Sequence, residues 1–200
     1  VSPHGERGRI TAMDAIPGGP PPPVAEALGR LEGCEALDAP ARTLAQAADA
    51  AVPAGPVRDA LNGSWLGHAL HPALTDIPIG CWTSASILDF LGGRSSRKAA
   101  TLLLAIGNAA ALPTAATGLA DWLEADATTR RVGVVHAGAN AAGLALYMAS
   151  LRARLRGRHL RGAAWALAGM GVATLAGYLG GHMAFGMDTV TPRAAITQPR

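Results

Sequence analysis

The chain has 200 residues, of which 50% are hydrophobic and only 16% charged, whereas an ordinary soluble domain carries roughly a quarter charged residues. The formal charge of +3 and the pI of about 9.4 do not signal nucleic acid. The basic residues fall in two short stretches between apolar runs, and no aromatic-rich basic face accompanies them. The two cysteines, Cys34 in the first part and Cys81 in an apolar run, offer no disulfide framework and no CxxC or iron–sulfur spacing.

In chain order, residues 1–66 hold eight acids and five arginines and are rich in Pro and Gly. We therefore expect a tail over 1–58, a membrane domain over 59–187 and a short tail over 188–200. Residues 1–23 read as disordered: Gly, Pro and scattered charge without a period. They carry Pro20 to Pro23 and lack the apolar core of a signal peptide. Val24, Ala27, Leu28 and Leu31 recur at helical intervals, and Leu37, Leu44 and Ala48 continue the apolar content beyond an expected break at Pro40. This stretch is too weakly apolar to span a bilayer. Pro53, Gly55 and Pro56 mark a hinge. A short amphipathic turn from Val57 to Leu61 then leads to Trp65, an aromatic suited to a membrane interface.

Four apolar segments follow, over 73–91, 99–120, 132–151 and 162–187. Each is close to the ~20 residues that cross ~30 Å of hydrocarbon. The last three are uncharged, whereas the first carries Asp76, Pro78 and Asp89. Backbone polar groups in lipid must be satisfied within the segment, so helices are required. The expected fold is all-α: a four-helix transmembrane bundle behind a partly disordered, partly helical N-terminal tail. The small pairs Gly133/Ala137 and Gly177/Gly181 suggest close helix approach. Arg94, Arg97 and Lys98, and then Arg152, Arg154, Arg156, Arg158 and Arg161, form two loops without an acid. The positive-inside rule places both in the cytoplasm and both termini outside.

Up-and-down helices bring alternate ends together, and this sorts the polar residues. His68 and His71 start the first helix, His136 lies near the start of the third, and His182 near the end of the fourth. Asp76 and Asp121 belong to the same layer, near the outer interface. His159, in a basic loop, and His4, in the tail, receive no role. Ionisable groups at membrane depth are costly and mark function. Four chemistries are open to the layer. The first is haem b held by two histidines from different helices, led by His136 and His182 among their small neighbours Gly133, Ala137, Gly138, Gly177, Gly180 and Gly181. The second is a compact transition-metal site drawn from His68, His71, His136 and His182. The third is a proton or ion relay through Asp76 and Asp121, and the fourth a non-catalytic anchor or interaction module. In the cofactor readings, Asp76, Asp121 and Asn140 would orient the ligands. The HxxH of His68 and His71 lacks the Glu of a zinc-protease helix.

The run Gly67-His68-Ala69-Leu70-His71-Pro72-Ala73-Leu74-Thr75-Asp76-Ile77-Pro78-Ile79-Gly80 is distinctive. Gly118 to Trp122, Val135-His136-Ala137 with Asn140, and Gly180-Gly181-His182 follow it in order. Together they resemble a bacterial membrane domain of unknown function, family 2231, over roughly residues 59–186. That family is often joined to a C-terminal Rieske iron–sulfur domain, and elsewhere to cytochrome modules. The resemblance thus implies an inner-membrane protein in a redox setting. No Cys–His pair follows His182 in these residues, so any Rieske or cytochrome partner is expected as a separate protein.

Overall fold

The structure, a computed structural model, describes residues 20–187. The expected disorder over 1–19, His4 and the tail 188–200 lie outside these residues. Among the described residues every regular element is helical. Three short helices come first: α1 (Pro22–Glu32), α2 (Asp38–Ala51) and α3 (Pro56–Leu61). Four long ones follow: α4 (His71–Leu91), α5 (Arg97–Leu123), α6 (Ala127–Leu155) and α7 (His159–Gly181), the last continued by a π turn over His182–Gly186.

Two expectations change in the first part. Pro22 and Pro23 are not disordered but open α1, where a missing N–H costs nothing. Pro40 is no break either. It sits in the first turn of α2, and the chain bends earlier, at Gly33 and Cys34. At the expected hinge, Gly55 has φ of 129°, and Pro56 starts α3.

α5, α6 and α7 are long and apolar enough to cross a membrane. α4 is not among them, because Asp76, Asp89 and a Thr83-Ser84 pair dilute its apolar content. All four nonetheless close a ring. α4 packs on α5 and α7, α5 on α6, and α6 on α7. The hairpins α4–α5 and α6–α7 carry the most extensive contacts. Their turns rest on local chemistry. Gly93 and Gly157 adopt left-handed φ of 62° and 74° at the ends of α4 and α6, a conformation that favours glycine. Asp126 caps α6 by accepting the Thr129 N–H at 2.8 Å.

Trp82 of α4 stacks on Tyr147 of α6 across the ring, centroids 4.1 Å apart, a pairing worth about 0.5–1.5 kcal/mol beyond its buried area. The Trp82 indole N–H donates to Asn108 Oδ1 at 3.0 Å, and Asn108 in turn reaches the Met148 sulfur at 3.3 Å. Gly107 lies under Trp82, and Gly169 under Tyr147. The expected small-residue pairs act differently. Gly133 makes room for the Trp122 ring, while Gly177 and Gly181 face open space and bring no backbones together within the chain.

Pro78 has no N–H, so the Leu74 carbonyl one turn earlier lacks its helical partner. The Thr114 hydroxyl of α5 donates to that carbonyl at 3.2 Å. At the basic end, Arg154 grips Asp89 with both terminal nitrogens. Neither side chain is more than 11% exposed, and the pair locks α6 to α4.

Candidate functional site

The antiparallel hairpins gather the starts of α4 and α6 and the ends of α5 and α7 at one end of the ring. The N-terminal helices cover this end. Leu28 of α1 packs on Val132 and Leu179, while Ala41 and Ala48 of α2 pack on Trp122 and Leu123. Polar clasps fix the cover. Arg131 holds the Asp38 carboxylate bidentately at 2.7 and 3.0 Å and donates to the Glu32 carbonyl at 3.0 Å. Arg58 donates to Asp49 at 2.5 Å and lies 3.7 Å from Glu124. The bidentate guanidinium holds the Asp38 carboxyl below its usual value.

Beneath the cover, two histidines are placed alike. His71 Nδ1 lies 2.9 Å from the carbonyl of Thr114, 43 residues on, and its ring rests on Gly118. His136 Nδ1 lies 2.8 Å from the carbonyl of Ala176, 40 residues on, and its ring rests on Gly180. In each hairpin the glycine follows the carbonyl residue by one helical turn. A Cβ at Gly118 would stand 2.7 Å from the His71 ring, and one at Gly180 would stand 3.0 Å from the His136 ring. A carbonyl can only accept, so Nδ1 carries the hydrogen in both rings, and Nε2 of each neutral imidazole is the lone-pair nitrogen. His71 Nε2 has no hydrogen-bond partner among the described residues. His136 Nε2 accepts from the Asn140 amide at 3.1 Å, and Asn140 also donates to the His136 carbonyl at 3.0 Å.

The other expected histidines and acids are engaged differently. His182 donates from Nε2 to Glu32 of the cover at 2.7 Å. His68 is exposed, its Nδ1 3.1 Å from the adjacent Ala69 carbonyl. Asp76 is exposed on α4, bonded to neither histidine. Asp121 lies in the last turn of α5, and Asn140 bonds the His136 ring. Among the described residues, no three His, Cys, Asp or Glu side chains form a set able to hold a metal ion.

Sequence reasoning missed the acceptors Thr114 and Ala176, because a backbone carbonyl has no residue identity to read. A usable signal was present: a histidine at the head of one apolar run and a glycine late in the next, twice over. The clasps of Glu32 and Asp38 were also missed. They join residues 150 and 93 positions apart.

No curated protein and no solved structure matches the chain. The family described as "Predicted membrane protein (DUF2231)" matches residues 67–192, which span α4 to α7 and both histidine staples, and the chain belongs to that family.

Proposed function

We propose that α4 crosses the membrane with α5, α6 and α7, and that the four-helix ring holds a haem b between His71 and His136 as a one-electron carrier. The observation that carries this reading is the repeated Nδ1–carbonyl bond. It turns two imidazoles on different helices to the same tautomer at one end of the ring, with Nε2 as the lone-pair atom, unpartnered among the described residues in His71 and held by the exchangeable Asn140 amide in His136. Ligating histidines are characteristically oriented through their second nitrogen in this way. Two nitrogens suffice for haem, whereas a compact ion would need a larger ligand set than these residues supply.

The surroundings fit such a group. Gly118 and Gly180 seat the rings close to the neighbouring helices. Asn140, one turn beyond His136, is exposed on a candidate membrane span. An amide there is costly in lipid, and it stands ready to orient or bond a bound group. Haem bound there supplies a reversible one-electron couple. The residues fix the ring planes through Thr114 and Ala176. The basic loops at the opposite end support an orientation with this end at the outer face of a bacterial inner membrane. A separate Rieske or cytochrome protein would exchange electrons from that side, over or through the cover formed by α1 and α2.

Absorbance spectra of the protein, extracted gently and titrated with haem, test the reading. A Soret band is expected that is lost in His71→Ala and in His136→Ala but persists in His68→Ala and His182→Ala. A protein that stays colourless after haem titration sinks the proposal. The same two bonds would then serve as staples that close each hairpin in a non-catalytic membrane anchor.

A further inference from the structure

At the opposite end of the ring, a cavity of about 390 Å³ is lined by Arg97, Gly157, Arg158, His159, Leu160 and Arg161. Two helix starts meet there, since Arg97 opens α5 and His159 opens α7. The charge is one-sided. Asp89, the acid at this end, is occupied by Arg154. None of Arg97, Arg158 and Arg161 pairs with an acid among the described residues. The start of α7 is uncapped, because Arg158 makes no side-chain bond to it. Its first N–H groups therefore remain as donors with the positive end of the helix dipole behind them. The Nδ1 atom of His159 is buried and has no hydrogen-bond partner. A buried polar atom without a partner is unusual in a folded chain, and the ring that carries it belongs to a residue lining the cationic cavity. Sequence reasoning had assigned His159 no role.

These groups ask for an anion with several acceptor oxygens. The walls say more about its source. Leu160, which lines the same cavity, is 83% exposed, and Trp165, one turn beyond Arg161 on α7, is 37% exposed. Guanidinium groups thus sit at the mouth with apolar side chains directly beside and below them along a candidate membrane span. A free phosphate has no use for that apolar flank, whereas a lipid has. Basic pockets between membrane helices are suited to anionic head groups. We propose that this cavity binds the phosphodiester of an anionic phospholipid. Arg97, Arg158 and Arg161 would neutralise the phosphate, the first N–H groups of α7 would donate to its oxygens, and Leu160 and Trp165 would lie along the acyl chains. The site is independent of whether haem binds at the other end.

Native mass spectrometry of the full chain in detergent tests this, with dioleoyl-phosphatidylglycerol, dioleoyl-phosphatidylcholine and inorganic phosphate as probes. Phosphatidylglycerol is expected to be retained in preference to phosphatidylcholine. Arg158→Gln and Arg161→Gln should each weaken it by about five-fold, the value of one basic residue at an anionic membrane surface. Arg156→Gln, an exposed arginine outside the cavity lining, should change retention by less than about two-fold, since it does not contribute to the pocket. Far-ultraviolet circular dichroism confirms that each variant keeps its helices. Equal retention of the two lipids, or equal losses in the Arg156 and Arg158 variants, overturns the site. Inorganic phosphate that binds alone and displaces the lipid at equal concentration overturns the lipid assignment in favour of a free anion.

Discussion

The two hairpins make the same bond in different surroundings. In α4–α5 the acceptor carbonyl belongs to Thr114, whose hydroxyl also serves the carbonyl freed by Pro78, and Thr117 donates to the same Thr114 oxygen at 2.8 Å. In α6–α7 the acceptor belongs to Ala176, which has no side-chain polarity, and the ring's second nitrogen meets Asn140 on the histidine's own helix. What recurs is the imidazole, its Nδ1–carbonyl bond and the glycine seat. What differs is the backbone repair around it, needed in the proline-bearing hairpin and absent from the other. Features shared across two unlike frameworks point to the histidines as the purpose of the arrangement. The hydroxyls follow from the proline.

The comparison holds only if the hairpins are fixed to one another, and Arg154 with Asp89 is the strongest tie. Arg154→Met leaves a nearly buried carboxylate without its partner and should destabilise the protein by about 3–5 kcal/mol. Thermal unfolding in detergent measures this. Arg154→Met with Asp89→Leu should recover most of the loss, because the unpaired charge is then gone. If the single variant melts like the parent, the ion pair is no clamp and the ring is held by packing alone.

The glycine seats allow the two staples to be compared directly. Gly118→Ala and Gly180→Ala both add a Cβ against an imidazole, and overpacking of this kind costs about 1–3 kcal/mol. The closer approach at Gly118, 2.7 Å against 3.0 Å, predicts the larger loss in the first hairpin. The same variants should shift any haem spectrum in the same order. Equal, negligible effects would mean that the rings move aside freely and that the seats do not position them.

The backbone repair is the next smaller effect. Thr114→Val leaves the Leu74 carbonyl without its hydroxyl donor and should cost about 1 kcal/mol. Pro78→Ala restores an N–H to that carbonyl. Thr114→Val should therefore cost less in the Pro78→Ala background than alone, and a double-mutant cycle on unfolding midpoints reads the difference. No interaction between the two sites would break the link between the proline and the hydroxyl.

The apolar runs made the long helices readable, because segments of that length and composition have few other fates in water or lipid. Their ends were less readable. α5 begins at Arg97 and α6 runs to Leu155, so charged residues extend both helices past their apolar stretches. α4 reads as the weakest span for the reason that makes it informative: Asp89 is there to meet Arg154. Alternation alone also shows which helix ends share a side. Which histidines meet a carbonyl of the next helix was not readable, because that depends on the rotation of each helix and on carbonyls that every residue possesses. His182 lies past the end of α7, in the π turn, and bonds Glu32 of the cover.

The cover over the histidine end offers the smallest and most selective test. Asp38 accepts from Arg131, with Arg42 also near enough to favour its charged form. Its folded value is lowered, so its contribution to docking is complete above the unfolded carboxylate value of about 3.9. The contribution is lost as pH falls through the lowered folded value, because the protonated group no longer attracts the guanidinium. Protection of the α1 and α2 amides from hydrogen exchange, corrected for the intrinsic rate at each pH, should fall across that acid range while α5 and α7 keep theirs. Asp38→Asn should remove this part of the pH dependence and lower protection modestly at neutral pH, as expected for a half-exposed pair. An unchanged profile in Asp38→Asn would mean that Leu28, Ala41 and Ala48 hold the cover by packing, with the bidentate clasp contributing only its orientation over Arg131.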